Sequence, residues 1–304
     1  MYIKFIKYRK IFYILSSILV ILSIISFFVF GFNLGIDFTG GSSLELAYKE
    51  TVPSSDEIRQ SLSSLNLGNV SVQRTGERGV IVKMKDFGQE GEETYSQVLS
   101  SLKGLGEVEE GSENFQSIGP IVGQELGQKT RLVVLLALLA ILFYVAFSFR
   151  KISRPVKSYV YGFTGLIALV HDVLVPLGIF AILGKTSGLE INIPIITALL
   201  TVFGYSINDS VVVFDRVREN LLNLKESTFD LTVERSLNQT LVRSLNTSLT
   251  TLFTLLAIFF FGGETLRYFS LALILGIGFG TYSSIFLAAP LLVSFSKFKE
   301  RKYK

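Results

Sequence analysis

Six long apolar stretches constrain the fold of this chain more than any other feature of its sequence. A spanning helix needs about 20 mostly apolar residues, and each stretch is near that length. Six of them in 304 residues cannot share one soluble core, and 49% of the residues are hydrophobic while only 18% are charged. We therefore expect an α-helical polytopic membrane protein with six transmembrane helices. The stretches are Ile11–Phe32, Leu132–Phe149, Tyr159–Leu183, Ile191–Phe214, Leu245–Phe261 and Leu266–Phe295.

Basic residues collect on one side of these stretches. The loops on the opposite side contain only Lys185 and Arg267. Because basic residues are retained on the cytoplasmic side, both termini are predicted to be cytoplasmic. The basic residues of the cytoplasmic side are Lys4, Lys7, Arg9, Lys10, Arg150, Lys151, Arg154, Lys157, Arg216, Arg218, Lys225, Arg235, Arg243, Lys297, Lys299, Arg301, Lys302 and Lys304.

The segment 33–130 is acidic, with 15 acidic and 8 basic residues in a chain whose net charge is +4. It is therefore predicted to face outward, and the remaining positive charge marks topology rather than a nucleic-acid partner. Its patterns predict a βαββαβ order, which is typical of a ferredoxin-like domain. The predicted elements are a strand at Leu44–Tyr48, a helix from a Ser54–Glu57 capping box to Leu65, strands at Val70–Gln73 and Val80–Met84, a helix at Glu92–Leu102 and a strand within Val108–Ile118.

This pattern divides the chain into four parts. Residues 1–32 form a cytoplasmic N-terminus and transmembrane helix 1, and residues 33–130 form the extracytoplasmic ferredoxin-like domain. Residues 131–296 form a bundle of five transmembrane helices, and residues 297–304 form a basic cytoplasmic tail. The domain therefore lies between helices 1 and 2.

A glycine-rich motif follows the first apolar stretch directly. It contains Gly35, Asp37, Phe38, Gly40 and Gly41. Glycines at this spacing predict a tight connection whose path the backbone dictates. No Gly-Lys-Ser/Thr follows, so the motif is not a phosphate-binding loop. Two interpretations remain open, a rigid linker and a hinge that transmits motion.

Ionisable residues inside the apolar stretches are the candidate functional residues. His171 and Asp172 lie in the third stretch and Asp209 lies in the fourth, while Arg243 immediately precedes the fifth. Because a charge in the bilayer costs about 2.5–3.5 kcal/mol, such residues face a bundle interior and have partners. Asp209 and Arg243 are predicted to form an ion pair, which is either structural or part of a proton path. His171 is either a packing residue or a relay beside Asp172.

The sequence excludes several chemistries. The chain has no cysteine and a single histidine. Disulfides, thiol nucleophiles, Cys-ligated zinc and multi-histidine metal sites are therefore excluded. We expect no cofactor and no metal.

Four motifs together resemble the SecF family of the bacterial Sec protein translocase, within the SecD/SecF group of the RND superfamily. They are residues 35–41, residues 169–174, residues 204–220, which include Gly204, Asn208 and Asp209, and residues 243–251. The resemblance implies a subunit that promotes preprotein export across the bacterial cytoplasmic (inner) membrane with the proton motive force. It implies SecD, the SecYEG channel, SecA, exported unfolded polypeptide and membrane lipid as partners. It also implies that Asp209 and Arg243 belong to the proton path.

Two other functions remain open at this point. An RND-type small-molecule efflux transporter would share the intramembrane aspartates, although such pumps usually carry two six-span halves in one chain. An intramembrane aspartyl protease would use Asp172 and Asp209 as a pair sharing one proton. The protease is the weaker alternative, because the two residues lie in different motifs and no Gly-x-Gly-Asp run is present. We therefore expect a transport subunit rather than an enzyme.

Overall fold

The computed structural model describes residues 2–86, 91–150, 156–223 and 228–302, and it divides into two compact units. The helical unit comprises Met1–Phe32, Val133–Ser187 and Pro194–Lys304. The α/β unit comprises Asn33–Leu132 and Gly188–Ile193. Four of the basic residues on which the predicted topology depends lie outside the described residues: Lys151, Arg154, Lys225 and Lys304.

Ten α-helices, four strands and one π-helical turn make up the described parts of the chain, besides short 3₁₀ turns. In chain order they are α1 (Arg9–Phe30), α2 (Ile36–Thr39), β1 (Gly41–Ala47), α3 (Ser55–Leu62), β2 (Ser71–Thr75), β3 (Gly79–Met84), α4 (Gly91–Lys103), β4 (Asn114–Ile118), α5 (Pro120–Ser148), α6 (Ser158–Ser187), α7 (Ile193–Asn223), α8 (Phe229–Phe261), α9 (Glu264–Ser283), the π-helical turn (Ser284–Ala288) and α10 (Ala289–Lys302).

Among the described residues, six helical segments are long and apolar enough to span a membrane, which confirms the predicted number of spans. They are α1, α5, α6, α7, α8 and a sixth segment formed by α9, the π-helical turn and α10. Two of them begin more than ten residues earlier than the apolar pattern indicates. α5 begins at Pro120 rather than Leu132, and α8 begins at Phe229 rather than Leu245. Hydropathy marks the apolar part of a helix, whereas its start depends on local signals: proline suits the first turn of α5, and the Thr228 hydroxyl caps α8.

Within the helical unit, α6, α7 and the sixth segment form the interior. About half of each is buried, whereas α1, α5 and α8 are mostly exposed along their apolar faces. Close approach of helices requires glycine at two positions. A Cβ on Gly276 would lie 2.2 Å from Val202 Cγ2, and a Cβ on Gly178 would lie 2.4 Å from Ser23 Cβ. Small residues of this kind let helix backbones approach closely inside a membrane.

The α/β unit contains a four-stranded antiparallel sheet in the order β2-β3-β1-β4. Leu44 of β1 lies opposite Val82 of β3 and Phe115 of β4. The alternating residues of β1 and β3 pack against Ile58 of α3 and Leu102 of α4, and this forms the core of the unit. Strands with one covered face have this period-two pattern.

Two local predictions in this unit have different outcomes. The capping box is confirmed, because the Ser54 hydroxyl accepts from the Glu57 amide and the Glu57 carboxylate accepts from the Ser54 amide. The last strand is shorter than the predicted Val108–Ile118. It begins only at Asn114, and Val108 makes an isolated bridge to Tyr48. Gly111 has a φ of +77°, and this left-handed turn separates the two.

The loop Gly188–Ile193, between α6 and α7, belongs to the α/β unit, whereas the sequence assigned it to the membrane bundle. The Gln73 side-chain amide donates to the Gly188 carbonyl over 2.6 Å. Lys83 and Glu190 form an ion pair of 2.7 Å, and both side chains are less than one-fifth exposed. Leu34 also bridges to Ile191 in parallel orientation. These polar contacts explain the assignment, which an apolarity pattern does not detect.

Candidate functional site

Asp172 is the most completely buried carboxylate of the helical unit, with no exposed surface. Its Oδ2 accepts hydrogen bonds from the hydroxyls of Ser206 on α7 and Ser283 at the end of α9, each 2.6 Å long. Its Oδ1 lies 2.9 Å from Nδ1 of His171. Three helices therefore supply polar groups to one carboxylate, as the cost of burying a charge requires.

A glycine makes room for this arrangement. A Cβ on Gly280 would lie 3.4 Å from the Ser206 Cβ and 3.5 Å from Asp172 Oδ2. Gly280 lies three residues before Ser283, so both are on the same face of α9. The sixth segment therefore approaches α6 and α7 closely enough for its serine to reach Asp172.

Asp209 lies on α7, three residues after Ser206, and its side chain faces the interior with 7% of the residue exposed. Its Oδ2 accepts a hydrogen bond from the hydroxyl of Ser284. Ser284 is the first residue of the π-helical turn. Consecutive serines of the sixth segment thus bind the two carboxylates, one each.

His171 is 2% exposed and lies among aromatic rings. The ring centroids of Phe279 and Tyr282 are 6.1 and 5.9 Å from its own. Its Nε2 is buried and has no hydrogen-bond partner among the described residues. His171 therefore packs against aromatic rings and also bonds to Asp172, and its relay role stays a prediction.

The predicted ion pair between Asp209 and Arg243 is not formed. Within the part of the chain that the structure describes, Asp209 has no ion pair, and the Arg243 side chain is exposed. The reason is the register of α8. Its buried face contains Ser244 and Ser248, one turn apart, and Arg243 is about 100° around the helix from Ser244. Sequence spacing places Arg243 near the start of the fifth apolar stretch but does not determine which face it occupies.

Two other residues of the fourth-span motif also face outward. Gly204 and Asn208 are exposed and lie four residues apart on α7. A Cβ on Gly204 would meet no atom within 4 Å. The structure therefore places Gly204 and Asn208 on a different face of α7 from Asp209.

The glycine-rich motif belongs to the α/β unit, whereas the two carboxylates belong to the helical unit. Gly40 and Gly41 have φ angles of +74° and +134°, and a Cβ on Gly40 would lie 2.7 Å from the Pro120 Cα. Only glycine suits such a backbone. The Asp37 carboxylate accepts a hydrogen bond of 2.7 Å from the amide of Ile193, the first residue of α7.

The rest of the motif packs locally. The Gly35 amide donates to the Ile191 carbonyl over 2.9 Å. Phe38 lies against α5, where a Cβ on Gly123 would be 3.2 Å from the Phe38 backbone. The motif thus connects the start of the α/β unit to the loop Gly188–Ile193.

Sequence reasoning did not select the three serines that bind the carboxylates. Ser206 lies inside the fourth-span motif, and Ser283 and Ser284 form a hydroxyl pair within an apolar segment. This pair of hydroxyls follows three glycines at alternate positions, and that pattern could have indicated a functional position in the sequence. Hydroxyls also bond within their own helix, however, so sequence alone does not show their partners.

The arrangement suits proton binding. A hydroxyl can donate to an ionised carboxylate and accept from a protonated one, so serine partners suit both states. In the described parts of the chain, no group of three or more His, Asp and Glu residues could hold a metal ion. The chemistry available at this site is therefore that of two buried carboxylates and one imidazole.

Comparison with known proteins identifies the family. The model of the family "Protein export membrane protein SecD/SecF, C-terminal" matches residues 97–298, and that of the "SecD/SecF GG Motif" matches residues 25–52. The second match includes the glycine-rich motif, and the first includes both buried carboxylates.

Relatives and solved structures agree with this match. The chain is 44% identical to the protein translocase subunit SecF of Thermobaculum terrenum, over 96% of this chain and 93% of that protein. It is 38% identical to the SecF of Haemophilus influenzae, over 94% of this chain and 83% of that protein. The crystal structure of SecDF, a translocon-associated membrane protein from Thermus thermophilus, has a TM-score of 0.84 at 35% identity, covering 98% of this chain and 39% of that one. The chain therefore belongs to the SecD/SecF family as a SecF subunit of the Sec protein translocase, a transport component rather than an enzyme.

Proposed function

We propose that Asp172 and Asp209 take up and release protons, and that this drives the contribution of the subunit to protein export. The observation that carries the proposal is the burial of both carboxylates among hydroxyl donors from neighbouring helices. One elementary charge crossing 100 mV releases about 2.3 kcal/mol. That free energy is of the size needed to shift a helix packing between two arrangements.

The proposed topology has both termini in the cytoplasm and the α/β unit outside the cytoplasmic (inner) membrane of a bacterium. The distribution of basic residues and the acidic composition of residues 33–130 support it. The element order β1-α3-β2-β3-α4-β4 and the sheet order β2-β3-β1-β4 support a ferredoxin-like domain inserted between the first and second spans.

SecD is the partner that the comparisons support, because solved SecDF structures match nearly the whole of this chain. We further propose SecYEG, SecA and the exported unfolded polypeptide as partners within the translocase. Arg243 retains a proposed role in the proton path through this assembly. It lies on an exposed polar face of α8 with Asn246, Thr247 and Thr250, and such a face in a spanning helix needs a protein neighbour.

The glycine-rich motif and the loop Gly188–Ile193 are proposed to carry motion between proton binding and the α/β unit. Asp37 bonds to the first amide of α7, and α7 carries Asp209. A rigid helix held at its first residue would transmit a displacement along its axis. The positive φ angles of Gly40 and Gly41 reserve these two positions of the connection for glycine.

The test is proton-driven export in inside-out membrane vesicles that contain SecYEG, SecD, SecA and this chain. Asp209→Asn is expected to remove the share of export that depends on the proton motive force and to leave the SecD complex intact. Asp215→Asn is the matched control, because Asp215 lies on the same helix, exposed and paired with Arg218. Full proton-dependent export by Asp209→Asn would overturn the proposal.

A further inference from the structure

Ser283 and Ser284 are neighbours in sequence but bond to carboxylates on different helices. Ser283 donates to Asp172 on α6, and Ser284 donates to Asp209 on α7. Successive residues of a helix project about 100° apart, so adjacent serines reach different neighbouring helices. The pair lies where α9 changes into the π-helical turn, and π-helical turns are frequent at functional sites.

Each serine also has a second acceptor in its own segment. The Ser283 hydroxyl lies 3.2 Å from the Gly280 carbonyl, and the Ser284 hydroxyl lies 3.1 Å from the Thr281 carbonyl. A hydroxyl has one hydrogen, so at any moment it donates to the carboxylate or to the carbonyl. Each serine hydroxyl therefore has two alternative acceptors, the carboxylate and the carbonyl. A change in the charge of the carboxylate changes which acceptor is favoured.

A second connection joins the two carboxylates through α7. Ser206 donates to Asp172 and lies three residues before Asp209 on the same helix. Ser206 and Ser283 share the single oxygen Oδ2 of Asp172, each at 2.6 Å. A proton placed on that oxygen makes it a poor acceptor, so at least one of the two hydroxyls must turn away.

We propose that Ser283 and Ser284 are positioning residues that couple the protonation of Asp172 to that of Asp209. Proton uptake at Asp172 releases the Ser283 hydroxyl toward the Gly280 carbonyl and displaces the first turn of the π-helical segment. Ser284 occupies that turn, so its hydrogen bond to Asp209 changes, and with it the proton affinity of Asp209. The proposal rests on proton binding by the two carboxylates and adds that they bind protons in a dependent order.

The groups that face this pair are few. His171 bonds to Asp172 from α6, and the Tyr282 ring lies beside His171 from α9. From α8 the buried hydroxyls on this side are those of Ser244, which lies against Asp209, and Ser248, which accepts from Thr281 and Tyr205. Among the described residues, His171 is the only titratable side chain hydrogen-bonded to either carboxylate. Besides the direct charge interaction of Asp172 with Asp209, the serines supply the hydrogen bonds through which one carboxylate affects the other.

The test measures proton binding itself. The full chain, in liposomes with SecD, carries ¹³C-labelled aspartate, and infrared titration follows the carboxyl band that disappears in Asp209→Asn. Asp172→Asn is expected to move the midpoint of this band by about one pH unit or more, as for coupled sites. Combined with Ser283→Ala or Ser284→Ala, the same substitution is expected to move it by less than half as much.

Two controls make the result specific. Ser270→Ala removes a buried hydroxyl of α9 that bonds only to carbonyls of its own helix among the described residues, so it is expected to leave the full midpoint shift. Ser283→Thr and Ser284→Thr retain the hydroxyl and are expected to restore the shift. An undiminished shift in both alanine variants would overturn the coupling. Normal proton-dependent export by Asp209→Asn would instead overturn the proposed function, whatever the titration shows.

Discussion

Two half-buried carboxylates of the α/β unit, Asp37 and Glu190, are held differently from the buried Asp172 and Asp209 of the helical unit. In the α/β unit, Glu190 pairs with the Lys83 ammonium, and Asp37 accepts from a backbone amide. In the helical unit, Asp172 and Asp209 accept from serine hydroxyls. An ammonium and a peptide N–H only donate, whereas a hydroxyl can also accept.

We propose that this difference separates a structural role from a proton-binding role. Donor-only partners favour an ionised carboxylate, and the contacts of Glu190 and Asp37 connect segments of chain. Hydroxyl partners accommodate either protonation state with a rotation of one O–H bond. Burial is shared by Glu234, which accepts from the Ile6 amide. The proposed proton-binding role of Asp172 and Asp209 therefore depends on their hydroxyl donors rather than on burial alone.

The largest effect is expected from Asp172→Asn, compared with Glu190→Gln. Loss of the ionisable group should reduce the proton-dependent part of export by roughly tenfold or more, because a step that the substitution blocks cannot be bypassed. The Glu190→Gln variant should retain most of the proton-dependent export, because Glu190 pairs with Lys83 and connects segments of the α/β unit. Export into vesicles with and without a proton gradient measures both. Equal losses in the two variants would contradict the distinction between the units.

A smaller effect is expected at the ion pair between Lys83 and Glu190. A double-mutant cycle with Lys83→Met and Glu190→Gln should give a coupling free energy of about 1–2 kcal/mol, because both side chains are largely buried. Hydrogen exchange of the amides in the loop Gly188–Ile193 measures it. The exposed pair Lys49 and Glu107 is the control, and it should couple by less than about 1 kcal/mol. Similar values for the two pairs would show that the loop is not held by its ion pair.

The change in stability on replacing a glycine of the helical unit by alanine should depend on the surroundings of that glycine. Gly276→Ala should destabilise the unit by about 1–3 kcal/mol, because its Cβ would overlap Val202. Gly204→Ala places a Cβ in open space and should stabilise the isolated chain by up to about 1 kcal/mol. Thermal unfolding in detergent compares the two. A destabilising Gly204→Ala in the absence of SecD would contradict the packing described for α7.

The smallest effect is expected at the capping box of α3. Hydrogen bonds from the Ser54 amide and hydroxyl lower the pKa of Glu57 below its ordinary value of 4.5. The unfolded chain then binds the proton more readily, so this stabilisation is complete above pH 4.5 and is lost as the pH falls through the lowered value. Glu57→Gln should remove this part of the acid dependence, measured by hydrogen exchange in α3. Glu50→Gln, at an exposed glutamate of the same unit, should leave it unchanged.

The sequence predicted well those features that depend on local pattern. The six spans follow from apolar length, and the Ser54–Glu57 capping box follows from spacing. Features that depend on helix rotation and long-range contact were not predictable in the same way. The face on which Arg243 lies depends on the register of α8, and the partners of Ser283 and Ser284 depend on how three helices meet. The assignment of Gly188–Ile193 to the α/β unit depends on a contact between residues far apart in sequence.

The most direct test of the central claim is an infrared difference spectrum of the full chain across a pH step. With ¹³C-labelled aspartate and the chain in liposomes with SecD, a protonated carboxyl band should appear in the wild type. Part of that band should disappear in Asp172→Asn, part in Asp209→Asn and none in Asp37→Asn. A spectrum in which neither Asp172→Asn nor Asp209→Asn removes any of the band would contradict the account.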